Sequence, residues 1–331
     1  MVETAKRSLR IWFGLIVPVV LLYLSCSDSN PSSPEERPPS QVGWSLHDSL
    51  PQEIAFYGVS FTDADHGTVV GDSGTILRTS DGGATWASQT SGTKNILFGV
   101  SFTDTDHGTV VGARGTILRT TNGGATWTSQ SSRTMNALRS VSFADVDHGL
   151  AVGYEGIILR TTDGGATWTS QTITTQNDLL GVSLADVDHG TVVGAYGIIL
   201  RTLDGGATWT NRTSGTKNIL FGVSFSDAAR GTVVGGDGII LRTTNGGATW
   251  AVQASGTKNI LFGVSFTDTD HGTAVGSGGT IRRTTDGGAT WTHQASFTGS
   301  GLYDVSFSDR NHGTVVGLAG TILRTTDGGG K

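Results

Sequence analysis

The chain has 331 residues, of which 50 are glycine and only 6 proline, and a formal net charge of −6. The lack of a basic excess excludes a phosphate-tracking nucleic-acid binder. Cys26 is the single cysteine, which excludes an intramolecular disulfide.

The N-terminal element reads as a targeting segment. Lys6, Arg7 and Arg10 form a positive region, and Ile11 to Leu24 is an apolar run of 14 residues ending at Ser25-Cys26. That run is too short for a comfortable membrane span. A lone cysteine directly after it resembles the lipobox of bacterial lipoproteins, with Ser25 as the small residue before cleavage and Tyr23 where leucine is usual. The resemblance implies lipidation at Cys26 and a lipid-anchored place in the bacterial cell envelope, outer membrane or periplasm-facing. An uncleaved signal anchor or an ordinary signal peptide is the alternative. Residues 26–41 are polar and rich in Pro and Ser, and read as a flexible tether. The division is therefore 1–25 signal peptide, 26–41 tether and 42–331 folded domain.

From residue 58 one segment recurs seven times at a spacing of 41 residues, starting at Gly58, Gly99, Ser140, Gly181, Gly222, Gly263 and Asp304. Such a period is the mark of a repeat architecture. Within the first copy, Gly58–Thr62 alternates as a strand and Asp63–Gly67 is a turn. Thr68–Val70 is a second strand, and Gly71-Asp72-Ser73-Gly74 a tight hairpin. Thr75–Thr79 is a third strand, Asp81–Ala84 a turn and Thr85–Gln89 a fourth strand; residues 91–98 cross to the next copy. Four short antiparallel strands per repeat predict a blade, and seven repeats predict an all-β, seven-bladed β-propeller. Adjacent apolar pairs in strands two and three, such as Val69-Val70 and Ile76-Leu77, suit sheets buried on both faces.

The seventh copy stops before its fourth strand. Residues 42–48, with Trp44, precede Gly58 by nearly the usual spacing, so they are predicted to supply the outer strand of the last blade and close the ring. An open ring cut off mid-repeat is the competing reading.

Thr79-Ser80-Asp81-Gly82-Gly83-Ala84-Thr85-Trp86 resembles the Asp-box hairpin of sialidases, sortilin-type receptors and related propellers. Its key position recurs as Asn122, Asp163, Asp204, Asn245, Asp286 and Asp327. Together with the preceding V-G-x-x-G-x-I-L-R-T, the unit is similar to the photosystem II stability/assembly factor-like propellers over about residues 42–331. The resemblance is specific for fold and weak for function, because the hairpin occurs on enzymes, receptors and assembly factors alike.

The seven Asp-box residues are expected to be structural, accepting hydrogen bonds from N–H groups two residues on. Asn in two copies fits an acceptor better than an acid. The D-x-D-H turns (Asp63, Asp65, His66 and their copies) invite a metal reading. Each offers only two carboxylates, and the blade-five copy loses its His, so turn capping is expected and no metal or cofactor is assigned. A ring of arginines from Arg78 to Arg324 is expected to pair with aspartates between blades, or else to offer a basic surface. Arg282 stands where six copies have Leu and has no account at this level.

Strand order puts the strand two–three hairpins on the same side as the crossovers between blades. This side varies from copy to copy; the opposite, turn side does not. Asp72, Arg114, Arg133, Arg139, Tyr154, Glu155, Tyr196 and Asp237 are the candidate binding residues, since Tyr and Arg favour binding hot spots. Drift in permissive loops is the alternative reading of the same variation. The expected function is a non-catalytic, monomeric scaffold that binds a protein partner, tethered to a membrane through Cys26. The alternative is a glycan-binding or sialidase-like propeller. A sialidase site needs a Tyr nucleophile assisted by Glu, an Asp acid and three arginines, whereas Glu155 is the only glutamate inside the repeats.

Overall fold

A computed structural model of the chain describes residues 43–47, 54–173 and 175–330. The signal segment, the tether and Cys26 lie outside the described residues.

Blade 1 consists of strands Phe56–Phe61, Gly67–Gly71, Ile76–Thr79 and Ala87–Gln89, paired in that order as one antiparallel sheet. Six more four-stranded sheets follow the same plan, and together they form a seven-bladed propeller. The first strand of each blade packs against the first strands of both neighbours, so seven inner strands surround a central channel. The second strand, Gly-Thr-Val-Val-Gly in blade 1, is buried along its whole length. Such two-sided burial explains its run of adjacent apolar residues. Seven buried clusters fill the wedges between blades. In one, Val70 and Ile76 of blade 1 meet Leu97, Val110 and Leu118 of blade 2.

Two local devices bring the inner strands together. The residue that opens six of the seven repeats is Gly or Ser, because the strands nearly touch there. A Cβ on Gly58 would lie 2.9 Å from the Phe98 carbonyl oxygen and 3.2 Å from the Gly99 Cα. Two residues further on, a serine of each inner strand accepts the backbone N–H of the next blade. Ser60 accepts from Phe102 at 3.1 Å, Ser101 from Phe143 at 3.2 Å and Ser142 from Leu184 at 3.0 Å. Ser183, Ser224 and Ser265 continue the series. Ser306 returns it to Phe61 of blade 1 at 3.0 Å. Each bond satisfies an N–H that faces a neighbouring blade rather than a ladder partner.

The ring is closed by the N-terminal segment. Ser45–Leu46 pairs antiparallel with Ile322–Thr325, with Ser45 opposite Arg324 and Leu46 opposite Leu323. Trp44 takes the place of the missing seventh tryptophan. It meets Phe307 edge to face at 5.8 Å, as Trp86 meets Phe61 at 6.1 Å and Trp127 meets Phe102 at 6.0 Å. Its Nε1–H donates to Gln294 Oε1 at 2.9 Å, copying the Trp127–Gln89 bond of blades 1 and 2. Gly43 N–H donates to Asp327 Oδ2 at 3.0 Å, which completes the last Asp-box.

Trp44 is 2% exposed. Its replacement by Ala is expected to cost about 3–5 kcal/mol in urea unfolding, through the cavity and the unpaired Gln294 Oε1. Wild-type stability in Trp44→Ala would mean that the ring does not depend on this strand.

Candidate functional site

The turn side is held together by its own polar groups. Asp63 Oδ1 accepts the backbone N–H of Asp65 at 2.8 Å and of His66 at 2.7 Å, and the carboxylate meets the His66 ring at 3.0 Å. Burial pushes the Asp63 carboxyl up, but these bonds outweigh it and hold it below the usual range. In blade 5, Arg230 replaces the histidine and donates to Asp227 at 2.9 Å. The histidine thus serves as a partner for the capping carboxylate. The carbonyl of Asp65 in turn accepts Gly82 N–H at 2.9 Å, tying this turn to the Asp-box.

In the Asp-box, Asp81 accepts from Thr85 N–H at 2.8 Å and from the Thr85 hydroxyl at 2.6 Å. The donors stand four residues on, not two as the sequence suggested. The Thr85 contacts, with Thr79, hold the Asp81 carboxyl at about 2. Asn122 accepts Thr126 N–H at 3.0 Å in the same way, so an acceptor is all that the site requires. The corresponding residues Asp163, Asp204, Asn245, Asp286 and Asp327 also accept bonds within their own turns.

Among the described residues, no ion pair joins the arginine ring to an aspartate. Arg78 donates to Thr68 of its own blade at 2.9 Å and to the Thr105 carbonyl of the next at 2.7 Å, and its guanidinium lies 4.7 Å from the centre of the Phe102 ring. Arg119, Arg201, Arg242 and Arg283 repeat this arrangement and are at most 7% exposed, so they offer no basic surface. Arg160 departs from it because blade 4 has Leu184 in place of the phenylalanine; its Nε donates to Gly205 O at 2.7 Å instead. Arg282, unexplained from sequence, donates to the Gly256 carbonyl in the crossover between blades 5 and 6 at 2.7 Å.

The crossover side has a different character. Each hairpin of blades 1–6 closes through a short 3₁₀ turn whose middle residue is left-handed: Ser73, Arg114, Glu155, Tyr196, Asp237 and Gly278. Arg133 and Phe297 adopt φ of 55° in crossovers where Gly92, Gly215 and Gly256 take positive φ of 69–76° in other copies. With Ala319, eight non-glycine residues of positive φ are found among the described residues, all on this side. Positive φ is unfavourable for residues with a Cβ. On the turn side such positions are glycines, as at Gly82 and Gly83.

The candidate residues do not gather into one cluster. Arg139 lies over Phe98 at 4.1 Å and near the Tyr154 ring at 6.0 Å. Glu155 Oε2 accepts from Asn136 at 3.4 Å. Asp72 accepts Ala55 N–H at 3.1 Å. Arg114, Arg133 and Asp237 stand on separate loops of blades 2, 2–3 and 5. Tyr196, 54% exposed, borders a groove of about 850 Å³ with Asn177, Arg212 and Lys217.

Between these loops lies the channel mouth, which the sequence reading missed except for Arg139. The pairing of every inner strand with its neighbour shifts register just before the residue that opens the repeat. The extra residues are Tyr57, Phe98, Arg139, Leu180, Phe221, Phe262 and Tyr303. Bulges of this kind re-aim a side chain. Phe221 meets Phe262 at 5.2 Å, Phe262 meets Tyr303 at 5.3 Å, Tyr303 meets Tyr57 at 5.3 Å and Tyr57 meets Phe98 at 5.6 Å. These five rings are half-buried and form an arc that ends on Arg139.

Comparison with known proteins agrees with this geometry. The family model described as photosynthesis system II assembly factor YCF48 matches residues 38–94, 88–176 and 167–255. The chain belongs to the YCF48 family. No curated protein matches. Among solved structures, YCF48 from Cyanidioschyzon merolae is 24% identical, with a TM-score of 0.72 over 86% of this chain and 99% of that one. A YCF48 structure described as bound to D1 peptide is 22% identical, with a TM-score of 0.72 over 87% of this chain and 98% of that one. The GH74 xyloglucanase from Xanthomonas campestris shares the fold at 14% identity and a TM-score of 0.66, over 86% of this chain and 54% of its own.

Within this YCF48-family ring, Asp304 stands out. It replaces the opening glycine in blade 7 and reaches into the seam with blade 1, where Oδ2 accepts Val59 N–H at 2.9 Å. Burial raises its carboxyl to about 7, with the Val59 and Val305 amides only partly opposing the shift. The folded value lies above the ordinary 3.8. The stability of the neutral form is therefore fully present below about pH 4 and is lost as pH rises to about 7. Asp304→Asn and Asp304→Gly should gain on wild type in urea midpoint from pH 4 to pH 7, with a constant difference above pH 8. A difference that does not vary with pH would show that Asp304 titrates ordinarily.

Proposed function

We propose that this protein is a non-catalytic, protein-binding propeller that docks its partner on the crossover side, and that a lipid on Cys26 holds it at the bacterial cell envelope. The observation that carries the docking reading is the one-sided placement of strained backbone. Eight residues with a Cβ adopt positive φ on the crossover side, including Arg114, Arg133, Glu155, Tyr196 and Asp237. Such conformations cluster at ligand-binding loops, and the turn side avoids them with glycine. The side that tolerates strain is also the side whose residues differ between blades. A partner without seven-fold symmetry needs such a surface.

The YCF48 structure described as bound to D1 peptide supports a peptide or protein ligand for this chain as well. The glycosidase alternative finds less support. Glu155 stands at an exposed hairpin tip, and its carboxylate bonds to the Asn136 amide. Nothing in that geometry aims it with Tyr154 at a common substrate atom.

Crosslinking in the native host, followed by mass spectrometry, identifies the partner. Recovery from envelope extracts should then fall at least tenfold for a combined Arg114→Glu and Tyr196→Ala variant with unchanged unfolding temperature. Equal recovery would remove the crossover side as the docking surface. For the anchor, globomycin should cause an unprocessed precursor to accumulate. Processing that ignores the inhibitor would rule out the lipid on Cys26.

A further inference from the structure

At the end of the fourth strand stands glutamine in five copies, Gln89, Gln130, Gln171, Gln253 and Gln294, and Arg212 in blade 4. The exchange has a cost. Gln89 and Gln294 accept the indole N–H of the next blade's tryptophan, at 3.1 and 2.9 Å. A guanidinium cannot accept, and Trp250 Nε1–H, next in line after Arg212, is buried without an acceptor. Nor is the arginine compensated within the fold. Its own Nε–H is buried with no acceptor, and among the described residues no acid forms an ion pair with it. Burial pushes the Arg201 guanidinium down, Asp186 opposes the shift and the Arg212 charge adds to it, so the two cations repel.

Arg212 lines the groove that Tyr196, Asn177 and Lys217 share, and no aspartate or glutamate lines it with them. Its walls are fixed. Gly197 fits against the Thr216 carbonyl, and a Cβ there would also lie 2.8 Å from Ser214 Oγ, so the Tyr196 hairpin abuts the crossover that carries Lys217. Around Lys217, Thr216 N–H donates to Ser214 at 3.3 Å and Asn218 N–H to Thr216 Oγ1 at 3.0 Å. Asp178, beside Asn177 in the chain, accepts Glu155 N–H at 3.0 Å. Blades 1 and 5 are followed by the same lysine, as Lys94 and Lys258, but they carry Asp72 or Asp237 in the hairpin and glutamine at the strand end. Blade 4 instead sets lysine with arginine, and its hairpin, Ala195-Tyr196-Gly197, holds no acid.

We propose that this groove receives one acidic side chain of the docked protein, its carboxylate held by Arg212 and Lys217 beside the Tyr196 ring. This rests on the crossover side being the docking side and names what one sector of it recognises. The guanidinium lacks an acceptor, and a carboxylate supplies two oxygens that match its fork. Lys217 is exposed, so its pairing contributes little alone, and Arg212 with its buried N–H carries most of the affinity. Tyr196, held at φ 57°, forms a rim that shields the pair from water.

The test uses the folded, isotope-labelled protein and the capped peptide acetyl-Gly-Glu-Gly-amide as the probe. The Tyr196 and Asn218 amide resonances should shift saturably with this peptide and not with its glutamine counterpart. Arg212→Gln, which restores the residue of five other copies, should weaken binding about tenfold, and Lys217→Gln about threefold. Lys258→Gln, in the sister loop, should leave affinity unchanged. An unaltered urea midpoint in Arg212→Gln shows that binding and not folding was lost. No saturable shift, an equal shift with the glutamine peptide, full affinity in Arg212→Gln, or an equal loss in Lys258→Gln would overturn the proposal. Tighter binding of acetyl-triglycine, whose carboxylate is the chain end, or of the phosphoserine peptide would overturn the choice of an acidic side chain. The probe assay involves no partner, so failed recovery from envelope extracts counts against docking on this side, and a failed probe counts against the groove.

Discussion

Seven serine hydroxyls make this ring continuous. Each accepts an amide from the next inner strand, and the series returns from Ser306 to Phe61 without a gap. The wedge clusters are apolar and carry no direction of their own. The serine bonds set how far one blade can slide or tilt against another. The glycines two residues earlier allow the approach that the bonds require. Ser140 and Asp304 show what happens when that space is filled. Ser140 contributes a further bond of the same kind, to Val182 N–H at 3.3 Å. Asp304 makes a similar bond at the cost of burying a carboxyl.

This construction separates two jobs. On the turn side, carboxylates, histidines, threonines and glycines satisfy one another within and between turns. The residues there that look like acids and metal ligands are partners in these hydrogen bonds. The arginines likewise spend their donors on threonines and carbonyls and their faces on phenylalanines. Blade 4 shows the coupling directly: once leucine replaces the phenylalanine, Arg160 changes its partner. The crossover side is less uniform from blade to blade. Its loops carry different residues in each blade and hold several of them in backbone conformations that glycine would adopt more easily.

The number of blades, the order of strands and the closing role of Trp44 were legible in the sequence because each is a matter of spacing. The capping role of the Asp-boxes was legible because Asn substitutes at 122 and 245. The partners of the arginines were not, since both a carbonyl and an aromatic face on another blade are invisible to a pattern of charges. Nor was the channel mouth. Tyr57, Phe98, Phe221, Phe262 and Tyr303 sit beside the repeated glycine, where simple alternation assigns them to a strand face. Only the register shift aims them at the axis. The signal lay in the same column that supplied Arg139, where aromatic residues recur without being conserved in kind.

Gly43 and Trp44 close the last blade. A protease that cuts upstream of Gly43 would set free an intact disc. One that cuts between Leu46 and Ile54 would leave blade 7 with a detachable strand held by Trp44 and two paired residues. The same few positions decide between release and opening.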